Sequence, residues 1–462
     1  MVLANLMPRF PDTAVFYRHL DRSYPEVVRG EGVYLWDASG KRYIDASGGA
    51  VVVNLGHGRR EMADAIAAQA AAVGYAHGSF FTHRAMEELC AELARHLPSE
   101  LDKIYLVQGG AEGIETAVKL ARQYWLARGR ESKYRVVGRW PSYHGNTLGA
   151  LSVSGRAAAR APYRPLLLDF PHVPAPSSYR RPPGATHIEH ALGCAEELER
   201  LLRWEGAGSI AAFVTEAISG SSLGADMPPP EYLARVREIC DRHEVLLVID
   251  EVMTGIGRTG RMFAFQHFDV VPDMVVMGKG LSSGYVPAGA VAAKREIAAA
   301  IHERFGSFAH GYTFSHHPVV AAACRAALRI VEREGLVERS VALGRYLLER
   351  LETLRRFEIV GDVRGVGLLA AVELVADRES KRPFPRARRL AEEVTARAMA
   401  KGLLLWPSTG CADGIDGDLL NIAPPFVVSE AEIDEIVELL GRTLQELGES
   451  LASGSDAGPA TA

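Results

Sequence analysis

The sequence has no block of basic residues, no apolar run long enough to span a bilayer and no paired cysteine spacing. Its 52 lysines and arginines are outnumbered by 57 aspartates and glutamates, for a net charge of -5. A dispersed, mildly acidic charge provides no electrostatic footprint for nucleic acid, and without a long apolar run no membrane-spanning helix is expected. The five cysteines (Cys90, Cys194, Cys240, Cys324 and Cys411) are scattered and odd in number. That argues against a disulfide framework or structural zinc and suits a reducing compartment. Cys411, in a glycine-rich stretch, is the candidate reactive thiol. The opening MVLANLMPRFPD lacks the basic start and sustained apolar stretch of a secretory signal. A cytoplasmic protein with small-molecule partners is the expectation, and no internal repeat is visible.

The chain of 462 residues exceeds the size at which a single core stops growing, so more than one packed unit is expected. Through the middle, short β-rich runs alternate with amphipathic helical runs, the pattern of an α/β fold with a mainly parallel sheet between helices. Strand ends are read at Gly109-Gly110, just before Tyr143, near Glu216, at Asp250 and at Lys279. Parallel strands joined by right-handed crossovers bring such ends to one sheet edge. Ile114, Ala117, Val118, Ala121 and Trp125 share a helical face, with Gly129 as the stop, and Pro228 to Pro230 introduce a helix over EYLARVREICDRHE. Seven prolines between residues 162 and 184 predict a long irregular surface loop. Beyond Pro318 longer helices mix with short strands, and Ser429 with Glu432 predicts a capping box on the last helix. The expected organisation is an N-terminal segment 1–75 joining a smaller α+β domain, a large domain 76–317, the small domain's main part 318–450, and a disordered tail 451–462.

The run VLLVIDEVMTGIGRTG offers two chemistries. Gly255, Gly257 and Gly260 match a dinucleotide-binding fingerprint, with Asp269 or Asp273 as a distal ribose-binding acid. The residues that follow are too short and aromatic for the long helix such a turn should open. Asp250 ends the preceding strand, where ligands of parallel sheets bind. Its natural counterpart is Lys279, in MGKGLSSGYVPAG. Pyridoxal phosphate needs an amine for its aldehyde and a carboxylate opposite, at the ring nitrogen. A lone Gly-Lys-Gly is ordinarily a surface turn; the Asp250 partner shifts that balance. Gly109-Gly110-Ala111 leads into a helix whose free amides favour a phosphate, although such turns are common without one. Tyr143, before His144 and Gly145, offers an aromatic face to a planar ring. No second ligand stands at metal spacing from His144, so no metal is expected. The glycines of 255–260 then shape a loop at the site's edge, with Arg258 or Arg261 nearby.

These residues stand in motifs that run nearly the length of the chain: GVYLWDASGKRYIDASGG, NLGHG, GGAEGIETAVKLAR, SYHGNTLGALSVSG, VIDEVMTGIGRTG, MGKGLSSGYVPAGAV, HGYTFSHHP, VRGVGLLAAVEL and APPF. In that order they resemble the class III, or omega, aminotransferases of the fold type I pyridoxal-phosphate enzymes. The resemblance implies Lys279 as the Schiff-base lysine, Asp250 as the pyridinium partner and Tyr143 as the stacking ring. It implies Gly110 and Ala111 at the phosphate, Val252 on the opposite ring face, Glu216 on the cofactor's hydroxyl side and His144 among the cofactor-binding residues. Thr313 would reach the phosphate of a neighbouring subunit in a homodimer. Ala111 departs from the family's usual serine, and Ala217 from its usual proline. No arginine or lysine occurs between Gly402 and Val428, where many relatives grip a substrate α-carboxylate, and Asn421 stands near that place. The implied reaction is ping-pong transfer of an amino group from an amine or amino acid, omega-amines among them, to a 2-oxo acid such as pyruvate or 2-oxoglutarate, through pyridoxamine phosphate. A racemase, aminomutase or decarboxylating transaminase uses the same cofactor residues, and a dinucleotide-dependent oxidoreductase is the remote alternative. Phe80 and Phe81 are candidates for the entrance.

Overall fold

The computed structural model describes residues 9–453, so most of the expected C-terminal tail lies outside the described residues. The fold is mixed α/β around a seven-stranded sheet. Its strands run in the order Lys103–Val107, Gly289–Ala293, Met274–Gly278, Leu246–Asp250, Ile210–Thr215, Arg135–Trp140, His172–Pro174. All pairings from Met274–Gly278 outward to His172–Pro174 are parallel. Gly289–Ala293 is antiparallel to both its neighbours, so Lys103–Val107 keeps the common direction. In this register Gly289 faces Val107 on one side and Gly278 on the other, which brings the ends of two sequence-distant strands level.

The strands Ile210–Thr215, Leu246–Asp250 and Met274–Gly278 are buried at every position, as expected of parallel strands with both faces covered. The helix Gly110–Ala127 buries Ile114, Ala117, Ala121 and Trp125, while Gly129 follows it at φ +70°. The Trp125 indole N–H donates to the Ala211 carbonyl at 2.8 Å, fixing the helix to the sheet. Pro230–Arg242 starts with proline at its first turn, where the missing N–H costs nothing.

The proline-rich stretch is more regular than its composition suggests. A 3-10 helix covers Ala161–Leu166, and His172–Pro174 adds a parallel edge strand beside Gly138–Trp140. The proline ring removes a donor and leaves the carbonyl intact, and at an edge one unpaired side costs little. The Gly138 N–H accordingly donates to the Pro171 carbonyl at 3.0 Å.

Two further sheets contain four strands each. In one, Val27–Glu31, Tyr34–Asp37 and Arg42–Asp45 are joined by Leu403–Leu404, so chain from both ends shares a sheet. The other is antiparallel, in the order Val360–Val366, Leu369–Leu374, Asp418–Ile422, Trp406–Thr409. The last helix, Glu430–Ala452, begins with a complete Ser429–Glu432 capping box. Among the described residues no helix is long and apolar enough to cross a membrane.

Candidate active site

The carboxyl ends of the parallel strands converge as topology requires. Asp250 closes its strand and is almost wholly buried. Its Oδ1 accepts the Val252 N–H at 2.9 Å, and Oδ2 lies 2.7 Å from His144 Nδ1. His144 is itself fixed: its backbone N–H donates to Ser154 Oγ at 2.8 Å. The ring is buried and its Nε2 has no hydrogen-bond partner.

Lys279 follows the next strand at φ +43°, a conformation that side-chain-bearing residues rarely adopt. Burial pulls its ammonium down to about 8, against the opposing pull of Asp250 and Glu216 and with a small push from Arg258. No hydrogen bond or ion pair engages its Nζ among the described residues. The free amine of this lysine therefore becomes available at mildly basic pH, well below the range of an exposed lysine.

The turn between Lys103–Val107 and its helix lies directly against this pair. A Cβ on Gly110 would come within 2.7 Å of Val252 Cγ1, and one on Gly145 within 2.5 Å of Ala111 Cβ. A Cβ on Gly278 would meet Val252 at 3.2 Å and the Gly110 nitrogen at 3.4 Å. Gly110, Ala111, the Tyr143-Gly145 turn, Val252 and the approach to Lys279 thus form one close-packed surface. The first-turn amides of the helix at Gly110 point out of it without intrahelical partners. Tyr143 is half-buried beside them.

Glu216 is buried one residue past its strand. Its Oε1 accepts the Gly220 N–H at 2.9 Å, while Oε2, 3.6 Å from Arg139 Nη2, has no hydrogen bond. Desolvation pushes this carboxyl up, with His144 and Arg139 opposing and Asp250 assisting. Arg139 was not singled out by the sequence, because its distance from Glu216 along the chain hides the pairing. Parallel pairing of Arg135–Trp140 with Ile210–Thr215 is what joins them.

Thr313 sits apart from this cluster within the single chain. It is exposed, and its carbonyl accepts the Tyr75 hydroxyl at 2.9 Å. Its loop does approach the turn at Gly109–Ala111, since Gln108 Nε2 donates to the Phe314 carbonyl. Phe80 and Phe81 are also exposed.

Gly255 to Gly260 opens no helix, in line with the loop expected there; it is a chain of turns, with Ile256 at φ +56° and Gly257 at +89°. Arg258 does not line the edge of the cleft, because it is fully buried as an internal tie. Its guanidinium donates to the Leu368 and Pro424 carbonyls at 3.0 and 2.7 Å and to Asn54 Oδ1 at 2.5 Å, over the Phe426 ring. Arg261 is exposed. Cys411 is buried and its thiol is pushed far up by desolvation, the opposite of a reactive thiolate.

A buried carboxylate at Asp250 and a buried amine at Lys279 thus stand at one edge of a mainly parallel sheet, beside a glycine turn and a tyrosine, in a mixed α/β fold shared with known transaminases. Comparison with known proteins agrees. The family model for aminotransferase class-III matches residues 17–444. The chain is 39% identical to the uncharacterized aminotransferase YodT of Bacillus subtilis strain 168, over 94% of this chain and 97% of that protein. It is 32% identical to the putrescine–pyruvate aminotransferase of Pseudomonas aeruginosa, over 95% and 94% of the two chains. The omega transaminase from Pseudomonas jessenii in complex with PMP superposes with a TM-score of 0.89 at 32% identity, covering 95% of this chain and 96% of that one. The chain belongs to the class III aminotransferases, and amino-group transfer between small molecules is its general chemistry.

Proposed function

We propose that this enzyme moves an amino group from an amine or amino acid to a 2-oxo acid in two half-reactions, with Lys279 as the proton-carrying amine. Pyridoxal phosphate, when bound, supplies the aldehyde that takes up the amino group and the ring that withdraws electrons. The buried pairing of Asp250 with His144, within electrostatic reach of the lowered amine of Lys279, is the observation that carries this reading.

The residues fit the cofactor. The Asp250 carboxylate is held from both sides, by the Val252 amide and the His144 ring, so it offers a fixed negative charge to a pyridine nitrogen. Val252 and Tyr143 would hold the cofactor's ring between them. The first-turn amides at Gly110 and Ala111 suit the phosphate. With alanine at 111 the hydroxyl contact of a serine is absent, a loss of about 1 kcal/mol if one hydrogen bond goes. Glu216, whose carboxyl burial pushes upward, would stand on the side of the cofactor's phenolic oxygen. At Lys279 the amine is free to accept a proton from the substrate carbon and return it one position away.

Thr313 would complete the phosphate site from a second copy in a homodimer. Exposed Tyr75, Phe80, Phe81 and Phe314, clustered in sequence around its two flanking loops, supply apolar surface for that association. Putrescine–pyruvate aminotransferase activity in one relative makes pyruvate the first acceptor to test.

The test is to mix purified, cofactor-loaded enzyme with a donor alone. Pyridoxamine phosphate and a carbonyl product should accumulate in equal amounts, and borohydride added before the donor should fix the cofactor to the peptide carrying Lys279. Turnover of the donor with no pyridoxamine phosphate would favour a racemase or mutase instead.

A further inference from the structure

One arginine has no structural employment. Among the described residues Arg156 is the arginine that is shielded from solvent and yet makes no hydrogen bond or ion pair. Other sheltered arginines are engaged: Arg364 with Asp362 and Glu373, Arg180 with Glu373, and Arg160 with the carbonyls of Leu151, Ser152 and Ser154. Burial without a counter-ion disfavours a guanidinium, and Arg156 is shifted downward accordingly.

Its position is set by a forced approach. The Gly155 N–H donates to the Ser142 carbonyl at 3.1 Å and to Ser142 Oγ at 3.0 Å. A Cβ on Gly155 would lie 1.9 Å from the Arg139 carbonyl oxygen, so only glycine permits this contact. The chain is thereby clamped against the turn that carries Tyr143, and Arg156 emerges beside it. The ionisable groups that act on Arg156 are the Tyr143 hydroxyl and Arg18 of the N-terminal stretch. Arg18 is exposed and equally lacks a partner among the described residues. Two guanidinium groups near one another, with no acidic residue between them, repel unless an anion is shared.

The C-terminal portion provides no substitute. Asn421 is consumed internally, donating from Nδ2 to the Trp406 carbonyl at 3.1 Å and to Ser408 Oγ at 3.0 Å. We propose that Arg156, assisted by Arg18, grips a carboxylate of the substrate at the mouth of the Tyr143 side of the cleft, selecting carboxylate-bearing amines over carboxylate-free amines of the same length. This rests on the transaminase reading above for the location of the reacting carbon, but the carboxylate site itself requires no cofactor.

Matched donors test it on the holoenzyme: β-alanine against propylamine and γ-aminobutyrate against butylamine, with pyruvate as acceptor. Arg156→Met should lower kcat/KM for the acids about 10- to 100-fold, the worth of one charge-assisted contact, and leave the plain amines within about 3-fold. Arg156→Lys should recover most of the loss, and Arg18→Met should show a smaller one of the same selectivity. Calorimetric titration with butyrate, which cannot react, should show its Kd rising in parallel. Equal losses on acids and plain amines with unchanged butyrate binding would make Arg156 a packing residue and overturn the proposal, as would no loss on either. Failure of borohydride to fix pyridoxal phosphate at Lys279 would strike the cofactor reading instead, and the butyrate titration would still decide the role of Arg156.

Discussion

Replacing Asp250 by asparagine changes one atom's charge in a place where geometry leaves few options. The two oxygens of Asp250 serve the Val252 N–H and His144 Nδ1. An asparagine carbonyl can keep the first contact. Its amide N–H2 then faces His144 Nδ1, which must become an acceptor, and the imidazole proton moves to Nε2. Shape and packing survive, so the variant should fold and bind pyridoxal phosphate. The fixed negative charge does not survive. A close carboxylate raises a cation's pKa by about 1–3 units, or about 1.4–4 kcal/mol, which corresponds to about a 10- to 1000-fold slower proton removal from the substrate carbon. Stopped-flow absorbance of the donor half-reaction measures that step directly. A rate within tenfold of the parent, with cofactor bound stoichiometrically, would refute the role assigned to the charge.

Lys279→Ala should abolish turnover and borohydride fixation while leaving the circular dichroism spectrum unchanged; near-normal turnover would remove the lysine from the mechanism. The neutral amine is the form that captures the aldehyde, so its population grows as pH rises through the lysine's value of about 8. Capture of pyridoxal phosphate by the cofactor-free enzyme should accelerate across that range and then level, and a flat profile would contradict the lowered value. Gly110→Ala should weaken cofactor binding, because its Cβ would sit 2.7 Å from Val252 Cγ1. Overpacking of this kind costs about 1–3 kcal/mol, and Val252→Ala in the same chain should return most of it, as a double-mutant cycle on the cofactor Kd would show. Ser429→Ala should lower stability by about 1 kcal/mol through loss of the capping box on Glu430–Ala452, read in a denaturant midpoint.

The readable parts of this fold were those written locally. Strand ends at Asp250 and before Lys279, the buried stripe of Gly110–Ala127 and the Ser429–Glu432 cap depend on neighbours a few residues away, and the structure has them where the pattern implied. The antiparallel Gly289–Ala293 was not anticipated: GAVAA is short, small-sided and continuous with a glycine-rich loop, and its insertion between two other strands is a nonlocal event. Edge pairing by His172–Pro174 was obscured by the prolines around it. Arg258 was assigned to the cleft margin because chain position suggested it, whereas its partners come from distant segments. For the same reason the Glu216–Arg139 approach and the idle Arg156 were invisible without coordinates.

The buried Arg258 tie has a consequence for how the molecule comes into being. Its three acceptors lie 204, 110 and 166 residues away along the chain, at Asn54, Leu368 and Pro424. Contacts of such separation demand large loop closures and slow folding. The loop after Asp250 can thus settle only once the ribosome has delivered Pro424, so catalytic competence should be among the last properties a nascent chain acquires.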